Sequence, residues 1–143
     1  MLREIPSILS PDLLHALRAM GHGDELAIVD ANFPAQSLAQ RCLRLDGVSA
    51  TEALSAILTL LPLDSFVPMP ALTMEVVGDA AQIPPVVVEF QAIIDRVADH
   101  PARLGALERF AFYQRARSAY AIVQTGEFRL YGNIILKKGI IQP

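Results

Sequence analysis

Cysteine is almost absent from this chain of 143 residues, and tryptophan is absent altogether. The single cysteine, Cys42, excludes an intramolecular disulfide and a cysteine-based metal site, and we interpret it as a small buried apolar side chain. Basic residues are also scarce: 12 lysines and arginines stand against 15 acidic residues, with no basic block. We therefore expect no nucleic-acid partner, because phosphate binding normally requires a basic stripe.

Segments and motifs that define several large protein classes are missing as well. No run approaches the roughly 18 apolar residues of a membrane span, and Arg3, Glu4 and Pro6 stand where a signal peptide would need an apolar run. We therefore expect a cytoplasmic protein that does not contact a membrane. The sequence has no glycine-rich phosphate loop, no Gly-x-Ser-x-Gly and no His-Glu-x-x-His. This predicts chemistry without a metal, a nucleotide or another cofactor.

What is present is an apolar, compact chain. Hydrophobic residues make up 52% and charged residues 19%, which is typical of a globular protein. The length fits one domain, which we predict to span residues 1–143. A mean hydropathy of +0.37 is high for a small domain, and it suggests that part of the surface is covered in a homo-oligomer.

Capping and turn residues divide the sequence into alternating helices and strands, which favours an α/β fold. Ser10 before Pro11 predicts the start of one helix, and Ser49 with Glu52 predicts a capping box at the start of another. Two further helices are predicted over 86–97 and 109–117. Short apolar runs predict strands at 26–29, 43–45, 73–77, 120–123 and 129–135.

The first candidate for catalysis is His22, which lies between two glycines. Without bulky neighbours, its ring is open to a small ligand, and a histidine exchanges protons near neutral pH. A helix C-cap followed by a polar turn explains the same residues equally well. Asp30 ends an apolar strand, where open α/β sheets place ligand-binding groups, although a simple turn residue is the alternative.

Two further groups offer hydrogen bonds to a polyol. Arg109 with Tyr113 and Tyr120 could orient sugar hydroxyls, or the arginine could be a packed structural charge. In Tyr131-Gly132-Asn133, the glycine would let a backbone or a ligand approach closely, with a phenol and an amide on either side, and an ordinary β-bulge is the alternative.

Taken together, five segments resemble the L-fucose mutarotase and D-ribose pyranase family. They are MGHGDE at 20–25, DANFP at 30–34, RFAFY at 109–113, TGE at 125–127 and YGNIILKKG at 131–139. They cover the chain in order, and Arg109 resembles the fucose branch because the ribose branch has histidine there.

The resemblance implies an isomerase that interconverts the α and β anomers of a free sugar, here L-fucose, without a cofactor. It implies a three-layer α/β/α domain with a mixed central sheet, assembled as a homo-oligomer, expected to be a decamer, with sites near subunit boundaries. His22 would be the catalytic proton donor. The sugar would be bound by Asp30, Arg109, Tyr113, Tyr120, Tyr131, Gly132 and Asn133.

Two alternatives stay open at this point: a D-ribose pyranase, and a monosaccharide-binding module without catalysis. One spacing is also difficult to reconcile with a single site. If residues 24–30 form an extended strand, His22 and Asp30 lie on the order of 20 Å or more apart. Either that segment bends, or the two residues belong to sites assembled across subunits.

Overall fold

The computed structural model describes all residues from Met1 to Pro143 and has 11 helices and strands. The helices are α1 (Pro11–Ala19), α2 (Ala35–Leu38), α3 (Ala50–Leu58), α4 (Pro85–Val97) and α5 (Arg109–Ser118). The strands are β1 (Glu25–Val29), β2 (Cys42–Leu45), β3 (Ala71–Met74), β4 (Leu104–Leu107), β5 (Ala121–Thr125) and β6 (Ile134–Lys137). No helix has the length and apolar character required to cross a membrane.

The six strands form one mixed sheet in the order β2-β5-β1-β6-β3-β4. Strand β5 is parallel to both β1 and β2, and β3 is parallel to β4. Strand β6 lies antiparallel between β1 and β3, so it joins the two parallel parts. Strand β1 is extended and lies inside the sheet, so its two ends mark two opposite sides of the sheet. We call the side at which β1 begins the amino edge and the side at which β1 ends the carboxyl edge.

Alternating side chains of β1 point to the two faces of the sheet, and each face is covered by helices. Leu26 and Ile28 belong to the larger core, which contains residues of α1, α3 and α4. Ala27 and Val29 belong to the smaller core, which contains residues of α2 and α5. This confirms the three-layer α/β/α architecture.

The locally encoded helix starts are confirmed. The Ser10 side chain accepts a hydrogen bond from the Leu13 N–H (3.2 Å), and Ser49 and Glu52 form the reciprocal capping box of α3. Each cap satisfies N–H groups that the first turn of a helix leaves without a partner.

The strand predictions were less accurate. Strand β3 covers 71–74 instead of 73–77, and β5 covers 121–125 instead of 120–123. Strand β6 begins at Ile134 and not at 129, because Tyr131 has a φ of +65°, outside the extended region. The short elements α2 and β4 were not predicted.

Candidate functional site

The carboxyl edge of the sheet, where β1 ends, contains a buried Asp30–Asn133 pair. The Asp30 backbone N–H donates to Asn133 Oδ1 (2.9 Å), and Asn133 Nδ2 donates to Asp30 Oδ2 (3.0 Å). The other carboxylate oxygen accepts from the Asn32 N–H (3.0 Å). The end of β1 and the start of β6 are thereby fixed to each other, and the Asp30 carboxylate is held in one orientation.

Burial dominates the electrostatics of Asp30. Loss of solvation raises the pKa of its carboxyl above the ordinary value, although hydrogen bonds from Asn32 and Asn133 act in the opposite direction. The neighbouring Glu127 carboxylate adds a smaller upward contribution to this pKa. Asp30 is therefore a carboxyl group that gains from a further hydrogen-bond donor, such as a sugar hydroxyl.

A surface pocket of about 270 Å³ opens beside this pair. It is lined by Asp30, Asn32, Phe33, Met74, Val77, Arg109, Tyr113, Leu130, Tyr131 and Asn133. Five of the seven residues proposed to bind substrate therefore meet in one concavity. The lining combines polar groups with apolar side chains, which is typical of a site for a small amphipathic ligand.

Tyr131 and Gly132 shape one wall of the pocket. The Tyr131 hydroxyl accepts a hydrogen bond from the Val77 N–H (3.1 Å), which ties the wall to the segment after β3. A side chain at Gly132 would clash with the pocket's support, since a Cβ built there would lie 2.6 Å from Cγ of Glu127. The group that lies against this glycine is the Glu127 side chain, and the segment precedes β6 instead of interrupting it.

Arg109 and Tyr113 form another wall from the first turns of α5. Arg109 Nε donates to the Tyr113 hydroxyl (3.3 Å), and this contact raises the pKa of Arg109. The Tyr113 ring packs edge-on against Phe33 at 5.1 Å between centroids. Arg109 is exposed and forms no salt bridge with a carboxylate of this chain. Its remaining guanidinium N–H groups are therefore free to bind a ligand.

His22 lies at the opposite edge of the sheet, in the loop before β1. Its Nε2 is 3.2 Å from Oδ1 of Asp64, which also accepts the Phe66 N–H at 3.0 Å. Burial alone would raise the pKa of Asp64, but these hydrogen bonds outweigh it and the pKa is lowered. Asp64 is thus an ionised carboxylate that orients the imidazole, whose side chain is 46% exposed.

The loop around His22 is fixed by backbone contacts. The Gly23 N–H donates to the Lys138 carbonyl (2.8 Å), and the Gly21 N–H donates to Oδ2 of Asp24 (2.7 Å). Lys138 Nζ in turn donates to the Leu17 carbonyl at the end of α1 (2.8 Å). These hydrogen bonds fix the loop that carries the partly exposed His22 side chain.

Tyr120 does not line the pocket at the carboxyl edge. Its N–H donates to the Glu25 carbonyl (2.8 Å), and its ring lies under the Arg41 guanidinium at 4.1 Å. It belongs to the amino edge of the sheet, as His22 does. No cluster of three or more histidine, cysteine, aspartate or glutamate side chains suited to a metal ion is present.

Within one chain the candidate residues consequently form two groups. Since β1 is extended over five residues, His22 and Asp30 are separated by at least about 17 Å, the length of this strand. The sequence analysis missed Asp64 because the His22–Asp64 contact joins residues 42 positions apart. The only sequence signal is a carboxylate in an apolar, proline-rich loop.

Comparison with known proteins identifies the family. Residues 3–141 match the RbsD / FucU transport protein family, and the chain belongs to this family. It is 46% identical to the fucose mutarotase of Bos taurus, covering all of this chain and 96% of that protein. It is 44% identical to the L-fucose mutarotase of Haemophilus influenzae, covering 98% of this chain and 97% of the other.

A solved structure shows the same fold with a sugar bound. The fucose mutarotase of Streptococcus pneumoniae in complex with L-fucose is 45% identical and superposes with a TM-score of 0.92. The alignment covers 99% of this chain and 100% of that chain.

Proposed function

We propose that this protein is an isomerase, a mutarotase that interconverts the α and β anomers of L-fucose, and that residues 1–143 form its single domain. One observation carries the proposal most directly. Asp30, Arg109, Tyr113, Tyr131 and Asn133 meet in one pocket, in a chain that is 45% identical over almost its whole length to a fucose mutarotase in complex with L-fucose.

The pocket supports binding of a small 6-deoxy sugar. Asp30 and Asn133 offer fixed acceptors and donors, and Arg109 adds charged donors. Met74, Val77 and Leu130 supply apolar surface in the pocket, against which the methyl group of the sugar would be buried. Gly132 contributes by allowing the backbone of this wall to lie close to Asp30.

Anomer interconversion needs two proton transfers and no redox step. A base removes the proton from the anomeric hydroxyl while an acid protonates the ring oxygen, so the C1–O5 bond breaks and an aldehyde forms. Rotation about C1–C2 and closure of the ring reverse both transfers. We assign His22 as the acid at the ring oxygen, with Asp64 orienting it, and Tyr120 or a carboxylate in contact with the sugar as its partner.

The separation of the two residue groups supports a site completed by a second copy of the chain. A monosaccharide is too short to contact His22 and Asp30 across the length of β1. Exposed apolar side chains surround the pocket, including Val77, Phe110 and Leu130, each at least 60% exposed. We therefore propose a homo-oligomer, with the decamer as the expected form, in which His22 of one copy faces the pocket of another.

The test is exchange NMR on L-fucose at its anomeric equilibrium, with D-ribose measured in parallel. The native protein should accelerate magnetisation transfer between the α and β signals of L-fucose. His22→Ala should lower this rate by roughly 10²–10⁴-fold, which is the usual contribution of a positioned proton donor. His15→Ala is the matched control, because it removes an exposed imidazole from α1.

The other outcomes of the exchange NMR experiment distinguish between the alternative functions. A His22→Ala variant as fast as the native protein would exclude His22 as the acid. Acceleration with D-ribose alone would indicate a pyranase. Saturation transfer from protein to sugar without faster exchange would indicate a binding module, and no effect on either sugar would refute the proposed substrate.

A further inference from the structure

Glu127 is a buried carboxylate directly behind the pocket wall. Only 2% of it is exposed, and its Cγ occupies the space where Gly132 would have a side chain. Its own carbonyl accepts the Ala31 N–H (2.7 Å), immediately after Asp30. Glu127 therefore contacts the segment that follows β1 and the segment that precedes β6, and both segments contribute residues to the pocket.

Arg129 donates three hydrogen bonds to this carboxylate and a fourth to a glutamate on helix α4. Its Nε and its backbone N–H donate to Oε1 of Glu127 (2.9 and 3.0 Å), and one terminal nitrogen donates to Oε2 (2.9 Å). The other terminal nitrogen donates to Glu89 on α4 (2.7 Å). The Arg129 hydrogen bonds lower the pKa of Glu127. The carboxylate is thus ionised and held by three hydrogen bonds from Arg129.

The Glu127–Arg129 pair is continuous with the wall of the pocket. The chain turns from Arg129 through Tyr131, whose φ of +65° is unusual for a tyrosine, into Gly132 and Asn133. No space separates Gly132 from the Glu127 side chain. A displacement of Glu127 would therefore move Tyr131 and Asn133, and the proposed acid His22, at the other edge of the sheet, would not move with them.

We propose that Glu127 and Arg129 are positioning residues for the sugar pocket: their ion pair fixes Tyr131 and Asn133 against Asp30. The proposal rests on the proposed mutarotase function only for the identity of the sugar. A positioning role predicts weaker substrate binding with little change in turnover, because the binding groups move and the acid does not.

The experiment compares Glu127→Gln with Glu52→Gln. The second variant is the matched control, because it makes the same change at the first turn of α3 and leaves the pocket untouched. For Glu127→Gln, KM for L-fucose should rise about tenfold while kcat stays within about threefold, because the displaced groups bind the ground state and the transition state of the sugar alike. Both variants are measured at a temperature at which circular dichroism shows them folded.

A second variant and a second signal keep the test decisive. Arg129→Lys keeps the charge but loses the paired hydrogen bonds, so its KM should lie between those of the native protein and Glu127→Gln. If Glu127→Gln does not fold, Arg129→Lys decides: its KM should rise above the native value while its kcat stays within about threefold, and an unchanged KM would overturn the proposal. Without any sugar, the side-chain amide signals of Asn133 should shift in Glu127→Gln and stay unchanged in Glu52→Gln.

An unchanged KM, a loss confined to kcat, or equal effects in the two glutamine variants would overturn the positioning role. If the native protein does not act on L-fucose, the proposed function fails while the Asn133 amide signals still decide this proposal. Unchanged Asn133 signals in the folded Glu127→Gln variant would refute it independently of the substrate.

Discussion

Mixing two inactive variants tests whether the site is shared between copies. His22→Ala removes the proposed acid, and Asp30→Asn alters the pocket at the opposite end of β1, at least about 17 Å away. If each site combines His22 of one copy with Asp30 of another, random co-assembly at equal amounts makes about a quarter of the sites fully native. We therefore expect about a quarter of the native exchange rate with L-fucose, measured by NMR at equal total subunit concentration. A site contained in one chain would give none.

The reciprocal mixture provides the control. When native subunits co-assemble with the His22→Ala/Asp30→Asn double variant, a shared site again predicts about a quarter of the native activity, whereas a site within one chain predicts about half. Co-expression with two affinity tags isolates the mixed oligomers. No recovery in the first mixture, together with half the activity in the second, would refute the shared site.

Two further predictions concern packing and pH. Gly132→Ala should lower the free energy of unfolding by about 1–3 kcal/mol and reduce mutarotation, because its Cβ would lie 2.6 Å from Cγ of Glu127. Urea denaturation measures this loss of stability, and an unchanged denaturation midpoint would contradict the prediction. His100 hydrogen-bonds the carbonyls of Leu63 and Pro101 with its two ring nitrogens, which raises its pKa above the ordinary 6.5. Its contribution to stability should therefore be complete below pH 6.5 and be lost as pH rises through the folded-state pKa; thermal unfolding from pH 6 to 8 should show this decline in the native protein and less of it in His100→Gln.

How much of the fold could be predicted depended on how local its determinants are. The starts of α1 and α3 were predicted because Ser10 and Ser49 cap N–H groups only three residues away. Strand β4 was missed because its four residues include a glycine and form a strand only by pairing with β3. The start of β6 was placed too early because the apolar pattern from 129 onward does not reveal the positive φ of Tyr131.

For the candidate site too, the features with local determinants could be predicted from the sequence. Asp30, Arg109, Tyr131 and Asn133 were selected from their residue types, their positions and the family resemblance, and the fold brings them into one pocket. The number of residues between His22 and Asp30 already indicated that an extended strand would separate His22 from this group, and the structure has β1 extended.

The supporting roles of Asp64 and Glu127 were not predictable from the local sequence, although Glu127 lies in the TGE segment at 125–127. Asp64 reaches His22 across 42 positions, and Glu127 contacts the pocket through the space left by a glycine. Both carboxylates are buried, which strengthens their hydrogen bonds and limits their motion, whereas the groups proposed to depend on them, His22 and the pocket wall, are open to a ligand. The exposed groups are recognisable by their chemistry, whereas their supports become recognisable only when the distances between strands and loops are known. For this reason the experiments on Asp30 and His22 test the family resemblance, while the experiment on Glu127 tests what the three-dimensional structure adds to it.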